Sequence, residues 1–140
     1  MTAYTGTIVI GPTNGGLGDD HTVRGSYTIG AGVVTGDTFT FTGLLGKGDK
    51  KIVGFRIFGA EFDTNASPTA TIIVGSENDT NGLLESIVAG GAGAQLAYSG
   101  NGQLIGTITS DENVIVTLGG TVATAASSGT FFVELVLRGV

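Results

Sequence analysis

The chain has 140 residues, of which 26 are glycine, 18 are charged and none is cysteine. Six Lys and Arg stand against twelve Asp and Glu, a net charge of −6, so a nucleic-acid partner is not expected. Without cysteine the chain has no disulfide and no thiolate nucleophile, and its single histidine, His21, excludes a multi-histidine metal site.

The first half of the chain consists of short β-type runs separated by turn residues. The predicted strands of this half are residues 4–10, 24–29, 37–42 and 51–62. In 37–42, Phe39 and Phe41 alternate with threonines, which is the pattern of a strand with one buried face. Residues 11–22 are polar and glycine-rich, and we expect them to form a loop or an extended arm. Residues 43–49 are predicted to form a turn.

The second half repeats this pattern and adds one candidate helix. The predicted strands here are residues 69–74, 103–109, 113–118 and 130–138. Residues 83–89 are the only helix candidate. Gly90-Gly91 would end a helix there. About eight strands with at most one short helix predict an all-β protein, an antiparallel, jelly-roll-like β-sandwich. Leu, Ile, Val and Phe are about 29% of the chain, enough for one folded domain over residues 1–140.

Two of the predicted strands have distinguishable faces. In 51–62 one face holds Val53, Phe55 and Ile57, and the other holds Ile52, Arg56 and Phe58. We assign the first face to the core because the second carries the charge. In 130–138 the alternating faces are Phe131, Val133, Leu135 and Leu137 on one side and Phe132, Glu134, Val136 and Arg138 on the other.

None of the motifs that carry chemistry is convincing. Residues 15–20 read GGLGDD, the start of a calcium-binding repeat, but such sites need stacked copies and this chain has one, so a glycine turn is favoured. Asp111 and Glu112 are neighbours in a turn, where two carboxylates point apart and cannot face one sugar. Nucleophile elbows and phosphate-binding loops are missing from the sequence. We therefore predict no enzyme activity, no cofactor and no metal site.

Two features suggest a contact surface. The first is a basic spot at Lys47, Lys50 and Lys51, with Arg56 farther along the next strand, which suits an acidic partner surface. The alternative is a solvated loop. The second is the outer face that places Ile52, Phe58, Phe132 and Val136 around Arg56, Glu134 and Arg138. A sandwich needs one apolar face per sheet, so a second partly apolar face suggests packing between subunits, unless the 11–22 loop covers it.

From about residue 54 onward the order of motifs resembles a known group of proteins. The motifs are GFRIFGAEFDTNASPTATIIVG, then LLESIVAGGAGA, NVIVTLGGTVATAASSGT and a terminal FFVELVLRGV. They resemble small virion proteins of tailed bacteriophages, especially marine ones, of the head decoration or cement type. The resemblance implies a β-sandwich that oligomerises on the outside of an icosahedral capsid and bridges neighbouring capsomers.

The resemblance predicts a non-enzymatic capsid decoration protein that binds the major capsid protein, as a trimer first or a dimer second. Since the sequence shows neither a secretory signal nor an apolar stretch long enough to span a membrane, we expect synthesis in the host cytoplasm and a place on the virion. One alternative is a tail, fibre or head–tail structural protein. Another is a carbohydrate-binding β-sandwich module, which the lack of Trp disfavours.

Overall fold

The structure, a computed structural model, describes residues 2–12, 20–30, 32–46, 50–78, 84–88, 96–100, 107–108 and 112–139. This part of the chain contains eleven β-strands and no helix. The strands are β1 (Ala3–Thr5), β2 (Thr7–Ile10), β3 (Asp20–Thr28), β4 (Thr38–Phe41), β5 (Lys50–Gly59), β6 (Thr69–Gly75), β7 (Leu84–Val88), β8 (Leu96–Gly100), β9 (Thr107–Ile108), β10 (Val114–Thr121) and β11 (Thr130–Gly139).

The strands form two sheets. A five-stranded sheet has the order β1-β4-β10-β6-β7 and a six-stranded sheet contains β2-β3-β11-β5-β8, with β9 pairing beside the start of β5. Eight of these strands are arranged as β3-β11-β5-β8 in one sheet and β4-β10-β6-β7 in the other, and all their neighbours are antiparallel. This interleaved order is that of an eight-stranded jelly roll with two Greek keys. The predicted jelly-roll-like sandwich is confirmed.

The core lies between the sheets and follows the alternation of side chains along the strands. The predicted inward residues of β11 are all buried: Phe131, Val133, Leu135 and Leu137. The ring centroids of Phe39 on β4 and Phe62 after β5 lie 5.3 and 4.7 Å from the ring centroid of Phe131. Burying a side chain of this size contributes roughly 1.5–3 kcal/mol, so these rings join the two sheets firmly.

The N-terminal segment passes from one sheet to the other at Gly6. β1 pairs in parallel with β4, whereas β2 pairs with β3 in the other sheet. A Cβ atom at Gly6 or at Gly25 would lie 2.4 Å from the Phe41 ring, so the backbone comes this close only where there is no side chain. The single strand predicted at 4–10 is therefore two strands.

The helix predicted at 83–89 is wrong. Leu84–Val88 is strand β7, which pairs antiparallel with β6 so that Ile87 lies opposite Ile72 and Val88 opposite Thr71. The free edge of β6 offers hydrogen-bond partners that a five-residue helix cannot match, and tertiary pairing overrides local propensity. Strand β3 also begins earlier than predicted, at Asp20 inside the predicted 11–22 loop, and β8 at Leu96–Gly100 was not predicted.

The assignment of Ile52 to the outer face is also wrong. Ile52 is fully buried, and Val53, which was assigned to the core, is only half-buried. The pairing of β5 with β11 shifts register here, with Gly54 opposite Val136 and Ile52 opposite Leu137. The extra residue on β5 reverses the alternation on one side of the irregularity, so the faces predicted from Phe55 onward hold and those before it do not.

Candidate functional site on the outer face of the six-stranded sheet

The outward side chains of β3, β11 and β5 form one continuous surface, here called the outer face. β11 is the middle strand, so Glu134 lies opposite Arg24 of β3 on one side and opposite Arg56 of β5 on the other. Phe132 lies opposite Phe58 on the same surface. Cross-strand neighbours on one face of a sheet are about 5 Å apart at Cβ, so residues far apart in the sequence meet here.

Glu134 is shared by two arginines. Arg24 donates from Nε to Oε2 at 2.8 Å and from its Nη2 group to the same oxygen. Arg56 donates from Nε to Oε1 at 2.9 Å and from Nη2 to Oε2 at 3.3 Å. Burial raises the pKa of Glu134, but the hydrogen bonds from Arg56 and Arg24 outweigh it and hold that pKa below its usual value. The carboxylate is therefore charged at neutral pH and holds both guanidinium groups in place.

An aromatic pair adjoins this cluster. The rings of Phe58 and Phe132 are stacked, with centroids 5.1 Å apart and planes inclined by 17°. The guanidinium carbon of Arg56 lies 4.2 Å from the centre of the Phe58 ring, and that of Arg24 lies 5.7 Å from it. Both are within the range of cation–π attraction. Both phenylalanines are half-buried, so the outer face combines accessible aromatic surface with cations.

A third ion pair occupies the C-terminal end of β11. Arg138 donates to Asp20 from Nε at 2.7 Å and from Nη2 at 3.2 Å. The hydrogen bond from Arg138 lowers the pKa of Asp20, and the same bond raises the pKa of Arg138. Lys51 of β5 lies opposite Arg138 in the register and is exposed. Within the described residues no acidic group forms an ion pair with Lys51.

Positive charge is concentrated on this sheet. Of the six Lys and Arg in the chain, five belong to β3, β5 and β11: Arg24, Lys50, Lys51, Arg56 and Arg138. The outer face sets four cations (Arg24, Lys51, Arg56 and Arg138) against two anions (Asp20 and Glu134), a net charge of +2 on a chain of −6. Acidic residues occupy the connecting segments, whose described part includes no Lys or Arg: Asp37, Glu61, Asp63, Glu77 and Glu112.

The hydrogen bonds of Asp63 give this residue a structural role. It is fully buried, and its two oxygens accept backbone N–H groups at 3.0–3.3 Å from Asn65, Thr69, Ala70, Ala123 and Thr124. Burial raises the pKa of Asp63, but the backbone hydrogen bonds more than compensate and lower it to about 2. A carboxylate with so low a pKa and no free lone pair suits neither proton transfer nor metal binding. It ties the segment after β5 to the segment after β10.

At the other candidate chemical sites, the described residues do not form the geometry that the chemistry would need. Glu112 accepts a hydrogen bond from Ser76 Oγ at 2.7 Å, while its sequence neighbour Asp111 lies outside the described residues, as do residues 15–19 of the calcium-like motif. Within the described residues, no group of three or more His, Asp or Glu is placed to hold a metal ion. The described part of the chain also has no helix long and apolar enough to cross a membrane.

The structure brings together three of the predicted contact residues: Arg56, Phe58 and Phe132. Lys51 lies on the same face, near the other end of β5, while Lys50 is placed only by its backbone, at the start of β5, and Lys47 lies outside the described residues. Sequence reasoning missed Arg24, which completes the Glu134 cluster. Its isolated position in the sequence carries no signal, since only the pairing of β3 with β11 reveals the contact.

Comparison with known proteins gives a likeness in structure rather than in sequence. Neither a protein-family model nor a curated protein matches the chain. Two solved structures contain similar chains, "Cyanophage Pam1 capsid asymmetric unit" with a TM-score of 0.73 and "Capsid of Ralstonia phage GP4" with a TM-score of 0.75. The identities are 21% and 22%, and the matches cover 94% of this chain and 93% and 91% of those chains. This chain therefore has the same fold as chains of two phage capsids.

Proposed function

We propose that this protein is a virion structural protein of a bacteriophage, and that it decorates and stabilises the outer surface of the capsid. The observation that carries the proposal is the likeness to chains of two phage capsids over more than nine-tenths of each chain. Such coverage means that the neighbours are about as long as this chain, so the likeness is not to a small part of a long chain. The motif order from residue 54 onward supports the same assignment.

The proposal assigns the protein a partner, a location and a mode of action. The partner is the major capsid protein, the location is the virion, and the protein acts without catalysis. Two similar chains from capsids favour a head position over a tail or fibre position. A rigid jelly roll that bridges capsomers can act through modest contacts, because many copies act together and multivalency multiplies weak binding. We keep the trimer as the first expectation for the oligomeric state, with the dimer second.

Co-sedimentation tests the proposal. The purified protein is titrated onto expanded capsids and, separately, onto isolated tails of the phage that encodes it, and its oligomeric state is measured by analytical ultracentrifugation. Saturable binding to capsids, with many copies per particle and none on tails, is the expected result. Binding to tails alone would move the protein to the tail, and a stable monomer that binds neither particle would remove the virion assignment.

A further inference from the structure

We propose that the outer face of the six-stranded sheet is the surface that docks onto the capsid, and that its target is an acidic protein surface with an apolar centre. This inference rests on the proposed function and adds an orientation to it. The strands β3, β11 and β5 lie against the capsid, and the five-stranded sheet points away from it.

Among the described residues, the positive charge lies on the outer face and the connecting segments carry negative charge. The outer face has a net charge of +2, while the described connecting segments contribute only anions. An acidic target therefore attracts this face and repels the remainder of the molecule, which orients the protein as it approaches. An acidic target would give Lys51 an ion-pair partner. This side chain is exposed and has no such partner among the described residues.

The composition of the face is that of an interface centre. Arginine and aromatic residues are enriched where protein contacts carry most of their binding energy. Here the Phe58–Phe132 stack lies under Arg56, and Glu134 restrains both Arg56 and Arg24. Side chains that are already restrained lose little conformational freedom on binding, which favours affinity.

Two-fold symmetry argues against a contact between the outer faces of two copies of this chain. In a two-fold contact the same surface faces itself, so two outer faces would place a charge of +2 against +2. Like charges opposed across an interface are costly. A different, acidic surface avoids this repulsion and pairs with Lys51 and Arg138 at the edge of the contact.

Matched variants test the assignment on expanded capsids. On the outer face, Lys51→Gln and Lys51→Glu change the charge by −1 and −2, and Phe58→Ala removes one ring of the stack. Thr117→Glu changes the charge by −1 on the outward side of β10 in the other sheet, and Val34→Ala trims a side chain between β3 and β4 that is 47% exposed. Each variant is first checked for cooperative unfolding, then titrated at low and at high salt.

We expect Lys51→Gln to weaken capsid binding about threefold and Lys51→Glu about tenfold at low salt, with both losses shrinking at high salt because ions screen exposed charges. Phe58→Ala should weaken binding by more than about tenfold at either salt concentration. Thr117→Glu and Val34→Ala should bind like the unaltered protein. If Phe58→Ala does not fold, the lysine series decides the question by itself.

Three outcomes would overturn the docking assignment. Equal losses for Lys51→Gln and Thr117→Glu would mean that only total charge matters. A loss confined to Val34→Ala would move the contact to the segment between β3 and β4. A lower oligomeric state of Lys51→Glu or Phe58→Ala, with unchanged capsid affinity per subunit, would make the face a contact between copies. Failure of the unaltered protein to bind capsids would instead overturn the proposed function, and this inference with it.

Discussion

Two carboxylates show how differently this sandwich treats negative charge. Asp63 is fully buried and accepts only backbone N–H groups, which come from the two chain segments beside it. Glu134 lies on the outer face, 15% exposed, and accepts from two arginine side chains. Both have a lowered pKa, and in both the hydrogen bonds outweigh the effect of burial. The donors differ, however, and so does what each carboxylate does.

The identity of the donors separates structure from recognition. The backbone donors around Asp63 are all directed at a buried carboxylate, so this network holds only its own chain. Arginine side chains present further N–H groups and a flat face to the solvent, so the network of Glu134 also prepares a surface. The comparison predicts that damage at Asp63 lowers stability, whereas damage on the outer face chiefly changes binding.

The largest effect is expected for Asp63→Ala. Five backbone N–H groups lose their acceptor in a buried place, and each unsatisfied buried group costs about 1–3 kcal/mol before the loops relax. We expect a net loss of about 3–5 kcal/mol in the free energy of unfolding, measured by urea denaturation at pH 7. Asp37→Ala is the matched control, because the buried Asp37 carboxylate accepts only two of the described backbone N–H groups, from Thr2 and Val34. A larger loss for Asp37→Ala would contradict the structural role given to Asp63.

The next effect is a loss of stability in acid. The pKa of Asp63 is about 2 in the folded protein and 3.8 in its ordinary state, so the folded protein binds this proton less readily than the unfolded chain. The stabilisation is therefore complete above about pH 4 and is lost as the pH falls through about 2. A lowering from 3.8 to about 2 corresponds to about 2 kcal/mol, to be read from urea midpoints between pH 5 and pH 2. The Asp63→Ala variant should show a shallower decline over the same range, and an equally steep one would assign the acid sensitivity to other groups.

Much of the fold followed from the alternation of apolar residues along the sequence. Phe39 and Phe41, and the four inward residues of β11, are buried as predicted, because a strand with one wet face leaves a clear two-residue period. The period fails where a strand is irregular, and Ile52 was misplaced for that reason. Residues 83–89 were misread because a short apolar run fits a helix or a strand equally well, and only the open edge of β6 decides between them.

The site was predictable only in part. The alternating pattern placed Arg56, Phe58 and Phe132 on outward faces, and a charged residue on each face indicated that the face is exposed to solvent. It could not show that β11 lies between β3 and β5, so neither the role of Arg24 nor the stacking of the two phenylalanines followed from the sequence. The structural role of Asp63 was equally hidden, because its donors are backbone groups and leave no mark on residue identity.

The smallest effect on stability is expected for Glu134→Gln. A glutamine keeps one acceptor oxygen but turns an NH2 group towards an arginine, so the two guanidinium groups lose part of their shared partner. Because Arg56 is 43% exposed, water replaces much of what is lost, and we expect the free energy of unfolding to fall by only about 1 kcal/mol at low salt. High salt should reduce this difference, since the lost interaction is between charges, whereas the loss in Asp63→Ala should persist because buried backbone hydrogen bonds are not screened. If salt leaves the Glu134→Gln loss unchanged and as large as that of Asp63→Ala, the outer-face carboxylate is as structural as the buried one and the distinction between them is wrong.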